Sequence, residues 1–464
     1  MPKQALLIRG AQAIVTCDEQ DTVHCDADVL VVGAEIQAIG KNLPSDGAQI
    51  IDAAGKVVYP GLINTHHHFF QSFVRNLVAI DYPSMHVLDW VESIYQIFRF
   101  LTSDAIYYAS YVAMTDLLKH GCTCAFDHQY CFPRAAGGQI VDRQMDAAKS
   151  LGIRFHAGRG ANTLPRTEGS SIPDEMLEST EEFLRDCERL VAAYHQTQKF
   201  GMQRVVIAPC QPINCYRETF AETVSLARSL GVSMHTHLGE GENEGMLARW
   251  GMRTLDWCEE LGFAGSDVWY AHGWELDSGE YQRMGRDGTG LSHCPAPAVL
   301  GGFDIIDVQE LDKHKVNISL GCDGSATNDS SNLLDSLRLA YLMQAQSAKR
   351  RGSYPTPYRM LKMATAGGAA VLGREDLGIL TPGRAADLFM IDATKLELVG
   401  AMHDPKSVLA KTGLTETVWL TMVNGRVVFH KGELTGVDEE AVRARALEVF
   451  EKDVVSRHDV FNRS

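Results

Sequence analysis

Eight short apolar runs, separated by longer helical patterns, constrain what this 464-residue chain can fold into. They are GLINTHHH (61–68), CTCAFDHQ (122–129), RFHAGRG (154–160), RVVIAPCQP (204–212), SMHTHLGE (233–240), DVWYAHG (267–273), TGLSHCPAP (289–297) and NISLGCDGS (317–325). Between them lie segments such as DAIYYASYVAMTDLLKHG and TEEFLRDCERLVAAYH, whose apolar residues recur at helical spacing. Strand–helix alternation repeated eight times predicts an α/β fold, a (β/α)8 TIM-like barrel, over residues 61–375. The competing pattern, an open doubly wound sheet, calls for a Gly-rich phosphate loop after the first strand, and none follows it.

The two ends of the chain read differently. Residues 1–60 contain ALLIRGAQAIVT, ADVLVVGAEIQAIG and AQIIDAAGKVVYP, rich in β-branched residues and bounded by Gly, Asp or Pro. The texture returns in AADLFMID (385–392) and ETVWLTMVNGRVVFHKGEL (416–434), where Asn424-Gly425 signals a hairpin. One small β-sandwich domain built from residues 1–60 and 376–437 is expected. DEEAVRARALEVFEKDV then predicts a C-terminal helix and tail over 438–464, opened by acidic residues that suit a helix N-terminus.

In almost every run the apolar residues come first and a reactive one closes it. His66 and His68 close the first, Arg159 the third, His237 with Glu240 the fifth, His272 the sixth, His293 the seventh and Asp323 the eighth. In a barrel these positions converge on the C-terminal mouth, where active sites are built. His66 and His68 are two apart and share one strand face, while His67 points to the outer helices. Two imidazoles joined by a further His and an Asp make an N₃O donor set that suits Zn²⁺ with an open position for water. Fe²⁺ fits the same donors. His235 and His237 form a second same-face pair; His237 lies nearer the mouth and is assigned to the metal, leaving His235 as a buried, hydrogen-bonded layer residue. Glu240, where strand gives way to loop, is expected to shuttle protons.

Other chemistries lack their sequence context. There is no HExxH helix, GxSxG elbow, P-loop or EF-hand loop. Cys294 reads as a buried structural cysteine, because only His293 stands beside it to lower its pKa. The 43 Lys+Arg against 59 Asp+Glu give a net charge of −16, which argues against nucleic acid as a partner. No apolar run approaches the roughly 18 residues of a membrane helix, and Arg9 interrupts the N-terminal apolar stretch, so neither a membrane span nor a signal peptide is expected. Eleven cysteines without a short-period framework point to a reducing, cytoplasmic setting. Barrels of this size often pair through their helices, so a homo-oligomer, a dimer or larger, is expected.

The motifs themselves are recognisable. PGLINTHHH (60–68), HLGE (237–240), YAHG (270–273), SHCP (292–295), LGCDGSATNDSSN (320–332) and GGAAVLGREDLGILTPGRAADLFMID (367–392) resemble the amidohydrolase superfamily, in its cytosine/guanine-deaminase-like branch. Within that branch HHHFFQ, FHAGRG and DGSATNDSSN are most similar to 8-oxoguanine deaminases. The resemblance implies one zinc per chain held by His66, His68, His237 and Asp323. It also implies that His272 holds the attacking hydroxide or adds a weak bond, that Glu240 relays protons, and that Gln71 and Arg159 contact the substrate ring.

The expected reaction is hydrolytic deamination of an amino-substituted aromatic N-heterocycle, with 8-oxoguanine to urate plus ammonia as the leading substrate. Guanine, isoxanthopterin and hydroxytriazine amines are the alternatives. HGWEL (272–276), where the 8-oxoguanine type usually has a Cys after the His, and Ala296-Pro297-Ala298, where the branch commonly has Ser-Asn after SHCP, depart from the pattern; Trp274 and the Pro-rich turn are expected to reshape the pocket toward a pterin or an amino-triazine. A cyclic amide hydrolase with two metals bridged by a fourth-strand lysine is disfavoured, since RVVIAPCQP has no lysine. A non-catalytic binding barrel would not need Glu240 and Asp323 together.

Overall fold

The computed structural model describes residues 5–85 and 87–458; the end of the expected C-terminal tail and the first few residues lie outside them. Eight strands, Leu62–Asn64, Cys122–Gln129, Arg154–Arg159, Gln203–Ile207, Met234–Leu238, Val268–His272, Gly290–His293 and Asn317–Leu320, pair in sequence order as one sheet, all neighbours parallel. Each coincides with one of the eight apolar runs. The first and last strands meet through Thr65 N–H donating to Leu320 O (3.2 Å) and Asp323 N–H donating to His66 O (3.1 Å), which closes the barrel.

Helices alternate with the strands for local reasons. Thr180–Tyr194 opens on a capping box in which Ser179 and Glu182 satisfy each other's backbone N–H, and Asp277 with Glu280 does the same for Ser278–Asp287. The apolar face of Thr180–Tyr194 buries Phe183, Cys187 and Leu190.

The terminal segments meet in one nine-stranded mixed sheet. Leu388–Asp392 runs antiparallel to Lys56–Pro60, from the pair Leu388↔Pro60 to Asp392↔Lys56. Alternation gives this sheet two apolar faces. Val58, Leu388, Met390, Leu420 and Met422 pack with Ile8, Ile14, Val29 and Val31 as the small domain's own core. Val57, Tyr59, Phe389, Ile391 and Val423 join the core of the barrel. Asn424 and Gly425 (φ 53° and 74°) make the tight hairpin between Leu420–Val423 and Arg426–His430, and a Cβ at Gly425 would collide with Gly33 O.

Buried Arg154 ties the two domains. Its Nε and Nη2 donate to both oxygens of Asp387 at 2.9 and 3.0 Å, and Nη1 donates to the carbonyls of Phe200 and Gly201. The predicted C-terminal helix is Glu439–Asp453; Ala446 and Val449 are buried, and Asp453 accepts from Thr102 Oγ1 at 2.6 Å. Among the described residues no helix is long and apolar enough to cross a membrane.

Candidate active site at the barrel mouth

Six of the side chains singled out in the sequence converge on one point. Asp323 Oδ1 lies 3.3 Å from His66 Nε2 and 3.1 Å from His68 Nε2. His68 Nε2 faces His237 Nε2 at 3.1 Å. His272 Nε2 lies 3.4 Å from Glu240 Oε1, and the His272 and His237 rings stack at 5.4 Å. His272 and Asp323 both have left-handed backbones (φ 77° and 63°). Such strain costs of order 1–3 kcal/mol for a non-Gly residue and clusters at functional sites.

The rings are oriented from behind. His68 Nδ1 donates to His128 O at 2.9 Å and His237 Nδ1 to Cys210 O at 2.6 Å. His66 Nδ1 meets His235 Nε2 at 2.9 Å, and His235 Nδ1 donates in turn to Trp269 O at 2.9 Å. With each Nδ1 protonated, the Nε2 atoms of His66, His68 and His237 carry lone pairs aimed at the common point. Burial reinforces neutrality, pushing His66 down to about 4 and His237 and His272 well below the usual range.

Two lone pairs facing each other at 3.1 Å, beside a carboxylate and the unpartnered, buried His66 and His272 Nε2 atoms, repel unless a cation lies among them. Neutral imidazoles and one carboxylate are the donors that a borderline-soft divalent ion takes, and backbone carbonyls behind His68 and His237 supply the usual supporting bonds. The residues therefore fit a metal. His235→Ala is expected to weaken metal affinity by about 10–100-fold with the fold intact, read by chelator competition.

Glu240 sits with its carboxyl on the mouth side of His272, one-fifth exposed. Burial, then the like charges of Asp323, Glu242 and Glu275, push its pKa well above the usual carboxylate range. A cavity of about 370 Å³ opens onto it, walled by Val87, Val91, Gln211, Ile213 and Asn214 among others.

The two residues expected to read the substrate ring fare differently. Gln71 is buried beside the cluster, donating to Tyr130 Oη (3.3 Å) and accepting from Ala326 N–H (3.1 Å); a Cβ at Gly324 would collide with its amide. Arg159 does not face the site, which corrects the expectation for it. Its Nε donates to Asp186 (2.7 Å), its Nη1 and Nη2 to Glu178 (2.8 and 2.6 Å), and Nη1 also to Gly160 O. Its guanidinium lies 3.6 Å from the Phe132 ring centroid, so it is a structural ion pair between strand and helix.

His128 and Tyr130 were not singled out. His128 stacks on His237 at 4.7 Å, and Tyr130 sits edge-on to His68 at 4.7 Å. His128 closes the second run, the same signal that identified the others. Trp274 lies tilted against His272 at 4.5 Å and stacks on Phe303 at 4.6 Å. His67 turns away to Ser331 Oγ (2.9 Å). His293 is buried outside the cluster and held neutral by burial, down to about 3, and burial pushes the Cys294 thiol well up, as an inert cysteine requires.

A parallel barrel with neutral imidazoles, a carboxylate and a protonatable glutamate at its C-terminal mouth defines a metal-dependent hydrolase. The chain belongs to the amidohydrolase family, whose model matches residues 57–428. It is 50% identical over 457 residues to hydroxydechloroatrazine ethylaminohydrolase of Pseudomonas sp. (strain ADP), covering 96% of this chain and 95% of that one. It is 35% identical over 447 residues to 8-oxoguanine deaminase of Pseudomonas aeruginosa, covering 94% and 96%. Among solved structures it superposes with a TM-score of 0.92 on atrazine chlorohydrolase from Arthrobacter aurescens TC1 complexed with zinc, at 31% identity, covering 96% of this chain and 100% of that one. With aminohydrolase and deaminase relatives along its whole length, the chain is a metal-dependent hydrolase of C–N bonds.

Proposed function

We propose that the chain hydrolyses the exocyclic C–N bond of a hydroxylated amino-triazine, replacing an amino or alkylamino group by oxygen and releasing the amine. The observation that carries the chemistry is the convergence of His66, His68, His237 and Asp323 with Glu240 against His272. The triazine is favoured over 8-oxoguanine, the leading expectation from sequence, by 50% against 35% identity to the respective relatives. Trp274, part of the departure from the 8-oxoguanine pattern, lies against the His272 ring at 4.5 Å.

His66, His68, His237 and Asp323 would hold one Zn²⁺, the metal of the solved relative. When bound, the ion supplies Lewis acidity that lowers the pKa of coordinated water toward about 7. Asp323 then accepts the proton of the attacking water, with His272 beside it to orient that water. Glu240, protonated by virtue of its raised pKa, donates to the ring nitrogen adjacent to the carbon under attack. A C–O bond forms, the C–N bond breaks, the proton taken by Asp323 ends on the departing amine, and the proton of the new hydroxyl returns to the Glu240 carboxylate as the ring carbonyl forms. Gln71, buried beside the cluster, has a donor and an acceptor for a flat ring edge, provided its bonds to Tyr130 and Ala326 are exchanged.

The sign of the pH dependence follows. Glu240 has to arrive protonated, and its raised pKa keeps it so to higher pH, so kcat is expected to hold below that pKa and fall as pH rises through it; a kcat that climbs through the alkaline range contradicts the role. A substrate panel tests the function: hydroxytriazine amines, 8-oxoguanine, guanine and isoxanthopterin, with amine release as the readout. Fastest turnover of a hydroxytriazine is expected. Fastest turnover of 8-oxoguanine moves the substrate to the second reading, and no amine from any heterocycle defeats both.

A further inference from the structure

Five residues, 239–243, form the loop that carries Glu240, and four of their backbone N–H groups are taken by two carboxylates. Glu242 accepts from Gly239 N–H on Oε1 and from Glu240 N–H on Oε2, both at 2.6 Å. Glu275, three residues beyond His272 on the next loop, accepts from Gly241 N–H (3.0 Å) and Asn243 N–H (3.1 Å), both on Oε2. The two loops are also joined backbone to backbone, by Gly273 N–H to Leu238 O (2.8 Å) and Glu275 N–H to Gly239 O (3.2 Å).

This is a costly way to build a turn. Glu242 is 1% exposed, and among the described residues neither Glu242 nor Glu275 has a Lys, Arg or His at ion-pairing distance. Burial, then the charge of Glu275, pushes Glu242 upward. A buried carboxylate without a counter-ion opposes folding unless hydrogen bonds compensate it, and here the compensation is the N–H groups of the catalytic loop. Gly239 and Gly241 (φ 67° and 102°) turn those N–H groups toward the two carboxylates.

We propose that Glu242 and Glu275 are positioning residues that clamp the loop from two sides, fixing the reach of Glu240 to His272. The inference rests on the proton-donor reading of Glu240. It makes an asymmetric prediction. Glu242 uses one oxygen for each N–H, so an amide there turns an NH₂ against one of them. Glu275 uses a single oxygen for both, so an amide keeps both bonds.

Holoenzyme variants would be assayed for release of alkylamine from a hydroxy-bis(alkylamino)triazine, with metal content and thermal melting measured in parallel. Glu242→Gln is expected to lower kcat by about 10²-fold, with KM and metal content within about twofold of the parent. Glu275→Gln is expected to stay within about twofold in kcat, whereas Glu275→Ala falls toward Glu242→Gln. The proposal is overturned if Glu242→Gln keeps kcat, if Glu242→Gln and Glu275→Gln fall alike, or if activity is lost only in step with metal or with the fold. Should Glu242→Gln not fold, the contrast between Glu275→Gln and Glu275→Ala decides alone. Glu240→Gln runs alongside: if it retains activity the proton-donor reading fails, and if it is inactive while Glu242→Gln is normal only the clamp fails.

Discussion

Glu240→Gln is expected to lower kcat by about 10²–10⁴-fold while leaving KM and metal content close to those of the parent. The substitution keeps the shape of the side chain and its 3.4 Å approach to His272. An amide, however, cannot give up a proton to a ring nitrogen. The loss therefore falls on the transition state, not on ground-state binding. If the decline of kcat at alkaline pH belongs to Glu240, it also disappears from whatever activity remains. Steady-state kinetics across pH check both points, and a variant with normal kcat removes Glu240 from the reaction.

The largest stability effect is expected at Arg154→Leu. Arg154 and Asp387 are both buried, and the guanidinium makes a two-pronged bond to the carboxylate, which also accepts from Asn424 N–H at 2.7 Å. Removing one partner leaves a buried, uncompensated charge, and breaking such a pair costs about 3–5 kcal/mol. Because Arg154 lies on the third barrel strand and Asp387 precedes Leu388–Asp392 of the small sheet, the lost bond is a buried ion pair between the two domains. Denaturant unfolding of the metal-loaded protein, followed by probes in each domain, is expected to show a lower midpoint and separated transitions. An unfolding free energy unchanged within about 0.5 kcal/mol contradicts this role of the ion pair.

The barrel was legible because it is repetitive. Each strand is a short apolar run with a chemically distinctive end, and convergence follows from closing the sheet. His66, His68, His237 and Asp323 needed only that topology to meet. Arg159 misled because its position at a strand end was read without its face. Phe155, Ala157 and Arg159 alternate on one face, and Phe155 and Ala157 join the core between sheet and helices, so Arg159 points outward to Glu178 and Asp186. Gly158, on the opposite face, is the residue whose Cβ would meet Phe126 inside. The role of Glu242 was not legible, since a run of glutamates in a loop reads as solvated until the backbone shows which N–H groups they hold. Nor could sequence spacing show Trp274 on the His272 ring, a contact fixed only when the loops after the sixth and seventh strands pack together.

The proposed reaction depends on one divalent cation gripped by imidazoles at the ends of the first and fifth strands and by the carboxylate after the eighth. Titrating chelator-stripped protein with Zn²⁺ while recording amine release tests it most directly. Negligible activity is expected in the stripped protein, followed by a linear rise that stops at one equivalent per chain. Full activity without metal, or a rise that continues to two equivalents, contradicts it.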